Sequence, residues 1–257
     1  MGNVIKFLQF SGVDVQSLLS TVNGLPFYLR ELRQFKRQMR DQSFPIGRLF
    51  PCLNERQAAS GDGRSIYFLQ DLFVAQRVLA NHPEVHIDVG SRVDGFVAHI
   101  ASCRKVKVVD IRPLRNDLPN IEFVQVDMMG ELQNHMKACC DSLSSLHAIE
   151  HFGLGRYGDP ICWDGHIRGL GNLSRMLKPG GKLYFSVPIG IQRVEFNAHR
   201  VFSVQWLLEY FSRHFSIDQF SYIDKGVLNA DVKLSAVDVL DNFGCMYGCG
   251  IFELTKK

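Results

Sequence analysis

Between residues 85 and 188, five short β-rich runs alternate with longer stretches of helical periodicity, and this alternation constrains the fold more than any other feature. The runs are VHIDVG at 85–90, VKVVDI at 106–111, IEFVQV at 121–126, LSSLHA at 143–148 and KLYFSVP at 182–188. Strands in that order pair in parallel, because a parallel pair needs a crossover connection and a helix supplies it. The expected class is therefore α/β, with a doubly wound, mostly parallel sheet. A helix over 69–80 precedes the first run and stops at Asn81 and Pro83. A second, over 163–177, ends in Lys178-Pro179-Gly180-Gly181, a helix stop followed by a tight turn. After the fifth run, a helix near 204–211, a strand near 215–222 and the segment CMYGCGIFELT at 245–255 add an antiparallel edge, giving seven strands.

A chain of 257 residues holds one such domain and an extension, but not two α/β domains. Residues 41–65, with Pro45, Gly47, Pro51, Gly61 and Gly63, read as an irregular connection, so residues 1–65 form a helical N-terminal extension and 66–257 the main domain. Within the extension Leu25, Leu29, Leu32 and Met39 share one helical face, while Arg30, Arg33, Lys36, Arg37 and Arg40 fill much of the rest. Such a basic amphipathic helix has two readings: a solvated face over an apolar stripe that covers the core, or a grip on an anionic substrate or membrane surface.

The net charge of +3 carries no clear nucleic-acid signal. Seven cysteines, an odd number without a C-x-x-C pair, point to a reducing compartment. There is neither a membrane-length apolar run nor a secretory h-region, and the expectation is a soluble, cytoplasmic protein.

A parallel sheet binds its ligand at the carboxyl ends of its strands, so the residues just after each run are the informative ones. The first run ends in Asp88-Val89-Gly90-Ser91-Arg92-Val93-Asp94-Gly95, where glycines let a backbone approach a ligand. The second ends on Asp110, about twenty residues on, where a carboxylate can take both hydroxyls of a ribose. The third ends on Asp127-Met128, an acceptor for an exocyclic amine beside a side chain able to cover a purine ring. The fourth ends in His147-Ala148-Ile149-Glu150-His151.

In order and spacing, HIDVGSRVDG, KVVDI, FVQVDMM, HAIEHFGLG and RMLKPGGKLYFSVP resemble the class I S-adenosylmethionine-dependent methyltransferases, over roughly residues 84–254. The resemblance implies a Rossmann-like methyltransferase fold and S-adenosyl-L-methionine as cofactor. Asp88, Gly90 and Gly95 would form the loop against its methionine part, Asp110 would hold the ribose, and Asp127 with Met128 would frame the adenine. The glycine loop departs from the family, which has glycines where this chain has Arg92 and Asp94. Within the superfamily, DVGSRVDGF and NAHR-x-F look like a branch associated with bacterial surface-polysaccharide genes.

His147, Glu150 and His151 form the candidate catalytic cluster. One resemblance is to the metal-dependent methyltransferases of small-RNA 3′ ends and of ubiquinone synthesis, which carry E-x-x-E-H here. By it His147, Glu150, His151 and His199 would hold one divalent ion, of a softer kind than Mg²⁺. The other readings are a metal-free general base and a purely positioning role, since methyl transfer needs an aligned, partly deprotonated nucleophile. H-x-x-E-H is also the spacing of the inverted zinc peptidases, but that chemistry needs the motif inside a helix, and here it follows a strand. His166 and His214, on expected helices, read as surface or core residues, and Cys139-Cys140 as the apolar end of a helix. The implied activity is O-methylation of a sugar or other small polar acceptor. The alternatives are a methyltransferase-like fold retained as a binding module and a metal-dependent hydrolase. Acceptor identity and oligomeric state have no sequence signature.

Overall fold

The computed structural model describes residues 15–39, 44–53, 61 and 63–257. The chain divides into two compact units, Met1–Asp62 and Gly63–Lys257. The first is built on helix α1 (Val15–Gln38). The connection folds back against this helix at Gly24, where a Cβ would meet the Leu53 carbonyl oxygen at 2.5 Å. Leu25, Leu29 and Met39 are exposed and Leu32 half-buried, so among the described residues of this unit no core covers the apolar stripe. Residues 44–53, described beside it, form neither helix nor strand. Arg40 lies outside the described residues.

The second unit runs α2 (Ile66–Ala80), β1 (His86–Val89), a π-helical turn (Val93–Val97) continuing into α3 (Ala98–Ala101), β2 (Val106–Asp110), β3 (Ile121–Gln125), β4 (Cys140–Leu146), α4 (Gly165–Met176) and β5 (Leu177–Ile189). There follow a small hairpin of β6 (Arg193–Glu195) and β7 (His199–Val201), then α5 (Val204–Ser212), β8 (Phe215–Asp224), β9 (Val227–Asn229), α6 (Ala236–Leu240) and β10 (Gly248–Lys256). The main sheet has the order β3-β2-β1-β4-β5-β10-β8-β9. Strands β1 to β5 pair in parallel, while β10 runs antiparallel between β5 and β8. The order reverses between β1 and β4, the switch point at which such sheets bind ligands.

The expected α/β class and the mostly parallel sheet are both present, but the strand count is eight rather than seven. The additional strand comes from a two-residue turn: Lys225 and Gly226 both have positive φ, 50° and 75°, a geometry that returns the chain as a hairpin into β9. Lys178–Gly181 form no separate loop. They bulge from the start of β5, where Cys140 pairs with Leu177 but Ser142 pairs with Lys182. Cys140 opens β4 rather than ending a helix, because the backbone N–H groups of Ala138 and Cys139 donate to the last carbonyls of α4, at Arg175 and Met176.

Alternation along the strands gives each face of the sheet its own core. Leu183, Phe185 and Val187 point to one side, among Leu170 and Leu173 of α4 and Leu207 and Phe211 of α5. Tyr184 and Ile251 point to the other, among Val74 and Val78 of α2 and Phe96 and Ile100 beyond β1. No helix among the described residues is long and apolar enough to cross a membrane, and all seven cysteines are free.

Candidate active site

A cleft opens at the carboxyl ends of β1 to β4, at the switch point, and Gly90, Asp110, Asp127, Met128, His147 and His151 all line it. Gly90 has φ +76° and donates its N–H to the Val109 carbonyl at 2.9 Å. A Cβ at this position would stand 2.8 Å from the Ala148 Cβ, so only glycine lets the β1 and β4 ends come this close.

Asp88 does not face the cleft. It is fully buried two residues before Gly90, accepting from the Ser91 N–H (3.0 Å), Ser91 Oγ (2.6 Å) and Ser144 Oγ (2.5 Å). Burial pushes its carboxyl up to about 6 against the opposing pull of these donors. Behind it His86 spans Ser142 and Ser144 at 2.8 and 3.1 Å, and burial lowers its imidazole to about 3. Asp88 therefore shapes the loop from behind.

Asp110 accepts from the Arg112 backbone N–H at 2.8 Å and from its guanidinium at 2.5–3.2 Å, while Arg112 lies over the Tyr157 ring, 4.6 Å from its centroid. Asp127 accepts from the Met129 N–H at 2.8 Å, and Asn172 of α4 donates to the Met128 and Gly130 carbonyls at 2.9 Å. The loop after β3 is thereby fixed, with the buried Met128 in the cleft wall.

Arg92 and Asp94, which stand where the family has glycines, pair with each other at 2.8 Å with side chains 59% and 73% exposed, so they lie at the rim and leave the cleft open. Gly95 breaks the π-helical turn at φ −125°, ψ −113°. Its neighbour is the Asp71 carboxylate, which a Cβ at Gly95 would strike. Asp71 comes from α2, and it lines the cleft together with Tyr67 and Gln70. Gln70 and Asp71 follow Tyr67 by three and four residues, one helical turn, which puts them on its side of the helix. The sequence reading missed this contribution. Its signal is the buried polar pair Gln70-Asp71, in a helix whose other polar residues, Gln76 and Arg77, are exposed or half-buried.

The cluster after β4 is only one turn of 3-10 helix, Ile149–His151, entered through His147 at φ +49°. His147 Nδ1 lies 2.9 Å from Glu150 Oε1, both side chains buried. Burial opposes charge on His147, but nearby Cys249 and the Glu150 carboxylate outweigh it and raise its pKa well above the usual value. Glu150 is lowered in return, by His147 and then His151, against its own burial. His151 Nδ1 donates to the Ala198 carbonyl at 2.7 Å, because a carbonyl can only accept. Its other nitrogen, Nε2, faces Glu150 Oε1 at 3.7 Å, and burial lowers the pKa of the ring.

His199 opens β7 with Nε2 at 3.2 Å from Glu195, its ring 6.5 Å from that of His151. Among the described residues no three His, Cys, Asp or Glu side chains converge as metal ligands. The expected set of His147, Glu150, His151 and His199 is not gathered around one point: His147 Nδ1 faces Glu150 Oε1, and His199 Nε2 lies beside Glu195. The helical H-x-x-E-H arrangement of a peptidase is equally unrealised. His166, on α4, packs on Phe202 and Trp206 with its pKa lowered to about 4 by burial and by Arg200. His214 is exposed in the turn after α5 rather than on the helix.

The model of the family described as "Caenorhabditis protein of unknown function, DUF268" matches residues 86–237, from β1 into α6. The chain belongs to the DUF268 family. No curated protein matches it. Among solved structures, this DUF268 chain is similar to the Burkholderia thailandensis 1,6-didemethyltoxoflavin-N1-methyltransferase, crystallised with 1,6-didemethyltoxoflavin and S-adenosylhomocysteine. The two are 15% identical, the match covering 76% of this chain and 79% of that one with a TM-score of 0.53. It is also similar to the [4+2]-cyclase SpnF, at 15% identity over 77% and 85% of the respective chains, with a TM-score of 0.52. The fold of the DUF268 chain is that of the class I S-adenosylmethionine-dependent methyltransferases.

Proposed function

We propose that this chain is an S-adenosylmethionine-dependent methyltransferase acting on a hydroxyl of a sugar or similar small polar acceptor, in a reducing, cytoplasmic setting. Residues 66–257 are its catalytic domain and 1–65 an extension. Three features support a fit to the cofactor: the close approach permitted by Gly90, the Asp110 and Asp127 carboxylates in one cleft, and an open rim at Arg92 and Asp94. The open rim favours retained binding over an inactive relic of the fold. Asp110 is suited to the ribose hydroxyls and Asp127 with Met128 to the adenine. When bound, S-adenosylmethionine supplies an electrophilic methyl group on a sulfonium sulfur.

The observation that carries the chemistry is the Nδ1–H bond from His151 to Ala198. It fixes the tautomer with a bare Nε2, and the lowered pKa keeps the ring neutral and able to accept a proton at physiological pH. An acceptor hydroxyl held at Nε2 would lose its proton there as the oxygen is methylated, and Glu150 would stabilise the imidazolium that results. His147 holds Glu150 in place for that role. The likeness to a cyclase shows that this fold also serves other chemistry.

Calorimetry with S-adenosylhomocysteine, followed by methyl-transfer assays on a panel of hydroxylated sugars, tests the proposal. Binding together with turnover lost in His151→Gln is the expected result. No binding at millimolar ligand sinks the proposal, while binding without turnover on any acceptor would favour a binding module.

A further inference from the structure

Asp71 has no close ion-pair partner among the described residues. It is 6% exposed, and its Oδ1 accepts from Gln70 Nε2 at 2.9 Å. Gln70 is itself held by Ser186 Oγ (2.5 Å) and Cys249 Sγ (3.3 Å), which donate to its Oε1 from β5 and β10. The network therefore aims Asp71 from the rigid sheet. Burial raises its carboxyl, outweighing the Gln70 hydrogen bond, His99, the Phe96 backbone and His147, which all favour the charged form. No Arg, Lys or His among the described residues forms an ion pair with it. A buried carboxylate normally has a cationic partner or a full set of donors. This one instead faces a cleft, with Gly95 conceding the space it occupies.

At the same end of the cleft stands the opposite charge. Arg92 lies at the rim over the Tyr67 ring, close enough for Asp71 to raise the pKa of its guanidinium, though less than Asp94 does. A buried anion and a rim cation flanking one loop are suited to a zwitterion.

We infer that Asp71 is the acceptor for the α-ammonium group of the cofactor's amino-acid end, with the ligand carboxylate directed outward toward Arg92. This rests on the reading of the cleft as a cofactor site. It also gives the irregular loop a purpose: Gly95 stands where it does to admit a carboxylate from α2 rather than to touch the ligand.

The test compares ligands by calorimetry on the intact chain: S-adenosylhomocysteine, its deamino analogue that keeps the carboxylate, and 5′-methylthioadenosine, which lacks the whole amino-acid end. A buried charge pair predicts that the unaltered protein prefers S-adenosylhomocysteine over the deamino analogue by about 30-fold or more. Asp71→Asn should bring the two within about threefold and leave methylthioadenosine binding unchanged. If the unaltered protein binds both ligands equally, or if Asp71→Asn keeps the full preference, the inference is wrong while the cofactor site stands. If none of the three ligands binds, the cofactor reading fails and takes the inference with it. The comparison on unaltered protein decides the matter even if the variant does not fold.

Discussion

The Asp71 carboxylate occupies the space that a side chain at residue 95 would need. Gly95→Ala should therefore force the carboxylate or the π-helical turn to move, at a cost of about 1–3 kcal/mol. Gly171→Ala on α4, where nothing lies within 4 Å of the added carbon, should instead be neutral or gain up to about 1 kcal/mol from helix propensity. Urea melts of the two variants beside the parent measure both.

The pH dependence of turnover should report His151. Since burial lowers its pKa, the base form persists below the ordinary 6.5, and kcat/KM should fall only as pH drops through a lower value. His151→Gln should lose about 10²–10⁴ in kcat together with this acid limb. An acid limb at or above 6.5 in the parent would contradict the assignment.

Asp110→Ala and His151→Gln should separate binding from chemistry. Loss of a charged acceptor for two hydroxyls predicts about 10–100-fold weaker S-adenosylhomocysteine binding in the first. The second should bind within about twofold of the parent. Melting temperatures should change little for Asp110→Ala, because Arg112, left unpaired, is 41% exposed and free to hydrate.

Stability against acid should carry two opposite contributions from one buried network. Below pH 6.5 the unfolded state protonates His86, but the folded state, with this imidazole at about 3, does not. Stability is thus lost as pH falls, by about 2 kcal/mol between pH 7 and 5. Asp88, raised from 3.8 to about 6, takes a proton first in the folded state and returns about 1 kcal/mol over the same interval. Denaturant titrations at the two pH values should show a shallower acid loss in His86→Gln and a steeper one in Asp88→Asn.

Chelation offers a check on the donor geometry. With His147 turned to Glu150 and His199 to Glu195, EDTA should leave both melting temperature and cofactor affinity unchanged. A fall in either would restore the four-ligand arrangement.

The strand ends were legible in the sequence because each couples a local pattern to a fixed place in the sheet: Gly90, Asp110 and Asp127 could be placed from the runs that precede them. The Lys225-Gly226 turn was also written there, as a glycine between two β-rich pieces, but it was not read as a hairpin. Gly95 is legible as a glycine, but the carboxylate that fills the space beside it belongs to a residue 24 positions earlier. Asp71 was illegible for the same reason. A helix face acquires meaning only from what it packs against, and neither periodicity nor motif spacing carries that tertiary pairing. The His147–His151 spacing is compatible with several chemistries. Backbone geometry, a left-handed His147 and a single turn of 3-10 helix, removes only the helical peptidase arrangement.

Arg200 of β7, 5% exposed, donates to the carbonyls of Phe152 (2.6 Å), Glu150 (3.4 Å) and Trp163 (3.2 Å). One guanidinium thus ties the segment after β4, the approach to α4 and the hairpin after β5 into a single piece. A graft that exchanged the hairpin alone would strand three carbonyls, whereas one that carried residues 147–164 along with 190–202 would keep them satisfied. In relatives of this chain the two segments should accordingly be inherited as a cassette, both changing together or neither.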